Sequence, residues 1–336
     1  MPQSAPARQD FTLADFTRAR SAISGMVRRT PMTLSPNLRE RFGVPVHLKL
    51  EHLQETGSFK LRGAANAVLS LNDASKARGV VGVSTGNHGR ALAFAAKQAG
   101  VACIICMSRL VPANKVEAIR ALGAEVRIVG ASQDEAQEEV DRLVSADGMT
   151  LIPPFDHAAI IAGQGTLGLE IVDDVPDLET VLVQLSGGGL ISGIAAAIRA
   201  RKPHIKIVGI SMERGAAMAA SLDAGRPVQV SEVPTLADSL GGGIGLANRF
   251  TFPAVRNLVD EIVLLSELEI ADGIRHGYWQ ERQMLEGAGA VGLGALLSGK
   301  VRPSGPTVVL LSGGNIDMKL HHRIISGETP DLASET

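Results

Sequence analysis

The chain has 336 residues, 45% hydrophobic and 20% charged, with a net charge of −2 and 37 glycines. That composition suits a globular protein with length for one large core or two smaller ones. The balanced charge leaves no basic block for nucleic acid or a membrane surface, and one Trp and one Tyr offer little for base stacking. Met1–Arg20 lacks an apolar core segment and no run is long enough to span a bilayer, so a cytoplasmic location is expected.

The first informative element is Gly57-Ser58-Phe59-Lys60-Leu61-Arg62-Gly63-Ala64. The apolar run after it predicts a helix with Lys60 in its first turn and Ser58 placed to cap it. A cation there faces the positive end of the helix dipole. A lysine pushed toward its neutral amine can attack a carbonyl and form a Schiff base. A surface lysine would simply tolerate the small penalty.

Beyond this helix, strands and helices alternate. Apolar strands are expected at Val80–Val83, Ala102–Met107, Glu125–Val129, Thr180–Leu185, Lys206–Ser211, Glu261–Leu265 and Thr307–Leu311. Helices are expected at His88–Gln98, Asn114–Leu122, Gln133–Ala146, Ile160–Val172, Gly189–Arg201, Ile270–Leu285 and Ala290–Leu297. Several strands are apolar on both faces, the pattern of a parallel sheet covered by helices, so the class is α/β. Residues 57–149 hold compact strand–helix units and form the expected small domain; 1–56 and 150–336 form the large one. Thr150–Pro154 reads as the crossing back.

Cys103 and Cys106 form a C-x-x-C inside a strand, where residues three apart point to opposite faces. Core cysteines are expected rather than a redox pair, which needs a helix start. His321 and His322 have no metal-spaced partners and read as surface residues.

Three strand ends carry small or glycine-rich loops: Ser84-Thr85-Gly86-Asn87-His88-Gly89, Ser186-Gly187-Gly188-Gly189-Leu190, and Ser312-Gly313-Gly314-Asn315. Ligands of open α/β sheets bind at such ends. The second loop leads straight into a helix and makes an anion site suited to phosphate. Gly187, Gly189 and Gly193, with Glu213 after the next strand, also form a loosened dinucleotide fingerprint. That alternative leaves Lys60 and Ser312 without a task. An activated lysine, a phosphate cradle and polar loops at neighbouring strand ends are what pyridoxal 5'-phosphate needs.

The ordered set S-F-K-x-R-G, S-x-G-N-H-G, S-G-G-G-L and L-S-G-G-N resembles the serine/threonine dehydratase family of fold-type II pyridoxal-phosphate enzymes, over nearly the whole chain. The resemblance implies a two-domain α/β fold like the tryptophan synthase β subunit, with the cofactor in the cleft between domains. It implies Lys60 as the Schiff-base lysine, with Phe59 as the ring-stacking residue. Asn87 would serve the ring hydroxyl, Gly187, Gly188, Gly189 and Leu190 the phosphate, and Ser312 the pyridine nitrogen. Ser84, Thr85, Gly86, Asn87 and His88 match the loop that grips a substrate carboxylate. Thr85 stands where racemases of the family carry a serine, and Glu286 matches an acid near the site.

A serine at the pyridine nitrogen makes a weaker electron sink than a carboxylate and favours β-elimination. The expected reaction is loss of the β-hydroxyl from a hydroxy amino acid, giving a keto acid and ammonia. Some members bind a divalent metal; here Glu213 matches one ligand but Ala219 replaces the Asp, so no metal is expected and Glu213 alone remains as a candidate. A homodimer or larger assembly is implied. The chain ends at Thr336, where biosynthetic threonine dehydratases continue into a regulatory domain, which points to a degradative enzyme. The segments Cys106–Pro112 and Ser211–Met218 resemble the hydroxyectoine utilization dehydratase branch. Catabolic threonine or serine dehydratase and 3-hydroxyaspartate dehydratase are the nearest alternatives, followed by a nicotinamide enzyme and a non-catalytic amino-acid-binding module.

Overall fold

The computed structural model describes residues 11–334 except 85, 110 and 112. In chain order it forms α1 (Leu13–Ile23), β1 (Met32–Leu34), α2 (Pro36–Phe42), β2 (Val46–Leu50), α3 (Lys60–Leu69), α4 (Asp73–Arg78), β3 (Val80–Val83) and α5 (Asn87–Gln98). There follow β4 (Cys103–Met107), α6 (Ala113–Ala121), β5 (Glu125–Ile128), α7 (Gln133–Asp147), β6 (Thr150–Leu151), α8 (Ala158–Asp174), β7 (Thr180–Gln184) and α9 (Gly189–Arg199). The remainder is β8 (Lys206–Met212), α10 (Ala217–Asp223), α11 (Thr251–Leu258), β9 (Glu261–Leu265), α12 (Glu267–Trp279), α13 (Gly287–Leu297), β10 (Thr307–Leu311) and α14 (Met318–Ile325).

The strands build two sheets. One has the order β1-β2-β10-β7-β8-β9, parallel except for β1, which runs antiparallel to β2. The other has the order β5-β4-β3-β6 and is parallel throughout. The central strands β7 and β10 are buried along their whole length, because helices cover both faces. Thr150–Leu151, read as a crossing, pairs with β3 before the chain leaves the smaller sheet.

The cysteines behave as a strand dictates. Cys103 packs in one apolar cluster with Ile105 and Met107, and Cys106 in another with Ile104. Burial pushes their thiols up to about 12 and about 11, so both stay inert.

Three expectations change, and one region had none. The first fifty residues contribute α1, β1, α2 and β2, elements too short or too mixed in pattern to read. The helix expected over Ile270–Leu285 ends at Trp279, and Arg282 takes a left-handed φ of 57° as the chain turns toward Glu286. Ser58 does not cap α3: Phe59 holds the cap position in a helical conformation, and Ser58 pairs its backbone with Gly313 instead. His321 is buried, edge-on to Tyr278 with ring centroids 5.4 Å apart.

Candidate active site

Parallel strands deliver the three polar loops to one place. β3 ends just before Ser84, β7 two residues before Ser186 and β10 just before Ser312, and all three loops line one cavity of about 300 Å³ with Phe59, Lys60 and Glu286. Ser84, Gly86, Asn87, His88, Gly187, Gly188, Gly189, Leu190 and Ser312 all border it. Thr85 lies outside the described residues, as do Leu110 and Pro112 of the Cys106–Pro112 segment.

The start of α3 is laced to the end of β10. Phe59 N–H donates to the Ser312 carbonyl at 3.0 Å, Gly314 N–H to the Gly57 carbonyl at 3.0 Å, and Ser58 bridges Gly313. Glu286 N–H reaches the Gly313 carbonyl at 3.2 Å, which brings the N-terminus of α13 to the same point. These backbone bonds hold Lys60, Ser312 and Glu286 around one space although they are far apart in sequence.

Lys60 Nζ donates to the Pro154 carbonyl at 2.8 Å and sits 5.4 Å from the centre of the Phe59 ring. Burial lowers its pKa to about 8, against the pull of the Glu286 carboxylate. A carbonyl oxygen steadies the amine without supplying a counter-charge, which keeps the nitrogen close to its nucleophilic form.

The glycine loop is shaped by contact. Gly188 takes φ +87°, and a Cβ there would meet Met218 and Thr251 at 2.9 Å. A Cβ on Gly187 would meet the Phe155 ring at 2.5 Å. Gly188 also holds the cap position of α9 with no side chain, leaving the first amides of a helix beside the cavity. Gly193 has another use. A Cβ there would run into the Ile161 carbonyl, so it lets α8 and α9 cross closely.

At the start of α5, Ser84 Oγ accepts from Gly89 N–H at 3.0 Å and from Gly86 N–H at 3.4 Å. His88 Nε2 lies 2.8 Å from the Ile152 carbonyl, an acceptor, so that nitrogen carries the hydrogen. Burial, with the nearby Lys60 charge, pushes His88 down to about 3 and keeps the ring neutral. Asn87 Nδ2 donates to Glu286 Oε1 at 2.7 Å. Burial, followed by the Asp238 carboxylate, raises Glu286 to about 7 despite donors from Asn87, Asn315 and Ser239.

Glu213 does not border the cavity. Its carboxylate faces Lys300 Nζ at 3.3 Å, and that ammonium also meets Glu269 at 2.7 Å and the Leu264 carbonyl at 2.8 Å. Among the described residues no cluster of His, Cys, Asp or Glu could hold a metal. Sequence reasoning missed Pro154 and Phe155 in the wall and Lys115 at the rim. A main-chain carbonyl leaves no residue-type signal, and an aromatic beside a glycine loop becomes visible only once the chain has crossed back.

The donor set has one coherent use. An amine near neutrality suits an aldehyde, the glycine cradle at a helix N-terminus suits a phosphate, and the Phe59 ring and Ser312 hydroxyl suit the two aspects of a pyridine. The residues present therefore fit pyridoxal phosphate, and fold and cavity together define an enzyme that uses it.

Comparison with known proteins agrees. Residues 23–313 match the family described as "Pyridoxal-phosphate dependent enzyme". A Sinorhizobium fredii protein named "Putative threonine dehydratase" is 60% identical over 319 residues, covering 95% of this chain and 96% of the relative. The L-threonine ammonia-lyase of Thermotoga maritima is 42% identical over 317 residues, covering 94% and 78%. The structure of maize serine racemase superposes with a TM-score of 0.88 at 33% identity, covering 95% and 98%. The chain belongs to the pyridoxal-phosphate dependent enzymes and, within them, to the threonine dehydratase family of lyases. No helix among the described residues is long and apolar enough to cross a membrane.

Proposed function

We propose that this lyase eliminates the β-hydroxyl of a hydroxy amino acid as water and that one water then hydrolyses the resulting imine, so that the net products are a keto acid and ammonia. The observation that carries the reading is Lys60, an amine lowered to about 8 and hydrogen-bonded to a carbonyl, in the cavity that also contains the glycine cradle. Lys60 holds the cofactor at rest and takes the α-proton of the substrate. The bound cofactor supplies the sink for the electron pair of that bond. Gly187, Gly188, Gly189 and Leu190 would bind its phosphate, Phe59 would stack on its ring, Ser312 would serve its nitrogen, and Asn87 would donate to its phenolic oxygen with Glu286 beside it. Ser84, Thr85, Gly86, Asn87 and His88 grip the substrate carboxylate through their backbone, the neutral His88 ring being committed to Ile152. Residues 57–149 act as a small domain against 1–56 and 150–336, and the enzyme works in the cytoplasm as a homodimer or larger.

For the substrate, we propose a β-hydroxylated amino acid from hydroxyectoine breakdown. What supports this is the form of the far wall. Besides the residues assigned to cofactor and carboxylate, the cavity is bordered by Lys115, Glu232, Asp238, Ser239 and Gly241–Gly243. Gly242 has no described neighbour closer than 3.7 Å to a Cβ position, and Gly243 none closer than 4.0 Å, and this uncrowded segment supports a side chain longer and more polar than threonine's. The names of the relatives favour a second reading, threonine itself. A panel of kcat/KM values for serine, threonine, 3-hydroxyaspartate and hydroxyectoine-derived amino acids decides. A polar far wall leaves groups unpaired over a short side chain and handles threonine poorly. Threonine ahead by tenfold, about 1.4 kcal/mol, establishes the second reading instead.

A further inference from the structure

Asn315 does not border the cavity, yet its side chain controls a residue that does. Its Nδ2 donates to the Thr56 carbonyl at 2.8 Å and to Asn87 Oδ1 at 2.6 Å. A main-chain carbonyl can only accept, so the Asn315 atom facing Thr56 is the nitrogen. The Asn87 atom facing that nitrogen must therefore be its oxygen. Asn87's own nitrogen is left toward Glu286 Oε1, at 2.7 Å, and toward Ser239 Oγ, at 3.5 Å on the cavity wall. The direction of the chain is thus set at Thr56. Space is set as well: Gly57 takes φ +77°, and a Cβ there would touch Asn315 Oδ1 at 2.5 Å.

We propose that Asn315 is a positioning residue that locks the Asn87 amide with its N–H side inward, so that Asn87 can only donate to what the cavity holds. Without it the amide is free to turn its oxygen inward, where it would oppose both the Glu286 carboxylate and an anionic oxygen on a ligand. The inference rests on the reading of Asn87 as donor to the phenolic oxygen of pyridoxal phosphate. The charged groups that face Glu286 are Lys60 from α3, Arg90 from α5 and Asp238 from the loop before α11.

The test uses the holoenzyme and measures two quantities besides turnover. One is the pH at which the bound chromophore changes its absorbance; the other is the dissociation of pyridoxal 5'-phosphate. Losing a donor to an anionic oxygen raises that pH, by about one unit in Asn87→Ala. Asn315→Ala should move it in the same direction by at least half as much, with cofactor held about tenfold more weakly. Asn315→Asp should be worse than Asn315→Ala and resemble Asn87→Asp, because two oxygens then oppose the Thr56 carbonyl and Asn87 Oδ1. A packing role alone predicts the reverse order, since Asp is isosteric. If Asn87 variants move the absorbance and Asn315 variants do not, the positioning role is overturned. If neither moves it, the reading of Asn87 fails first. Should Asn315→Asp fail to fold, the comparison of Asn315→Ala with Asn87→Ala still decides.

Discussion

Lys60 and Arg62 stand two residues apart on α3, and their surroundings could hardly differ more. Residues at that spacing point to nearly opposite sides of a helix. Lys60 ends in the cavity, with the Pro154 carbonyl at 2.8 Å and a pKa lowered to about 8. Arg62 is 1% exposed and forks to two carboxylates, meeting Glu51 through Nε and Nη2 at 2.8 Å each and Glu170 through Nη1 and Nη2 at 2.7 and 3.0 Å. Burial opposes its charge, but Glu51 and then Glu170 hold the guanidinium above its ordinary pKa. The lesson concerns counter-charge. Burial weakens both cations, and whether a carboxylate stands opposite decides if the result is a reactive amine or an anchor. Lysine and arginine suit these tasks, since an ammonium loses its proton readily and a planar guanidinium binds two carboxylates at once.

Removing the reactive member has the largest effect. Lys60→Ala should fold, because alanine is the best helix former and the lysine's hydrogen bond is to a neutral carbonyl, that of Pro154. Turnover of any hydroxy amino acid should fall by roughly 10³-fold or more, with loss of the visible band that borohydride bleaches. A variant with wild-type rates would remove the basis for the comparison.

Removing the anchor should act on stability instead. Arg62→Met leaves Glu51 and Glu170 buried without their fork, at a cost of about 3–5 kcal/mol in urea unfolding. Adding Glu51→Gln should recover part of the loss, because that uncompensated charge goes with it, whereas Glu170 keeps the buried Lys49 ammonium at 2.8 Å. A loss below about 1 kcal/mol for Arg62→Met would mean that the ion network contributes little beyond what surface pairs do.

The two halves of this comparison were unequally legible in the sequence. Lys60 carries a motif and stands at a conspicuous helix start, and the glycine loops follow apolar strands whose parallel order puts them together. Arg62 belongs to the same motif, but its partners Glu51 and Glu170 sit in unrelated segments and look like any acid on a helix or turn. The same limit hid Asn315's grip on Asn87. Ser58 shows the opposite error: its type and position suit a cap, and only the long-range pairing with Gly313 removes it from that task. Strong periodicity survived translation into structure; contacts between distant segments had no signal to leave.

Glu286 sharpens the comparison from the acid side, since it is a buried carboxylate that lacks an arginine fork. Burial, followed by the Asp238 charge, lifts it from 4.5 to about 7. A carboxylate whose folded pKa exceeds its unfolded one binds more protons in the native state between those values. Stability contributed by this group is therefore greatest below pH 4.5, falls as pH rises, and levels off above about 7. The fall amounts to about 3 kcal/mol at most. Between pH 5 and 8 the apo wild type should lose stability relative to Glu286→Gln, whose amide keeps the bulk and cannot ionise. Asn87 Nδ2 keeps an acceptor in that variant, so the hydrogen-bond chain survives while the titration disappears. Urea unfolding of both proteins at pH 5 and pH 8 provides the measurement. Equal slopes with pH would show that Glu286 is ionised across the range, and that its donors outweigh its burial as the Arg62 fork does for Glu51.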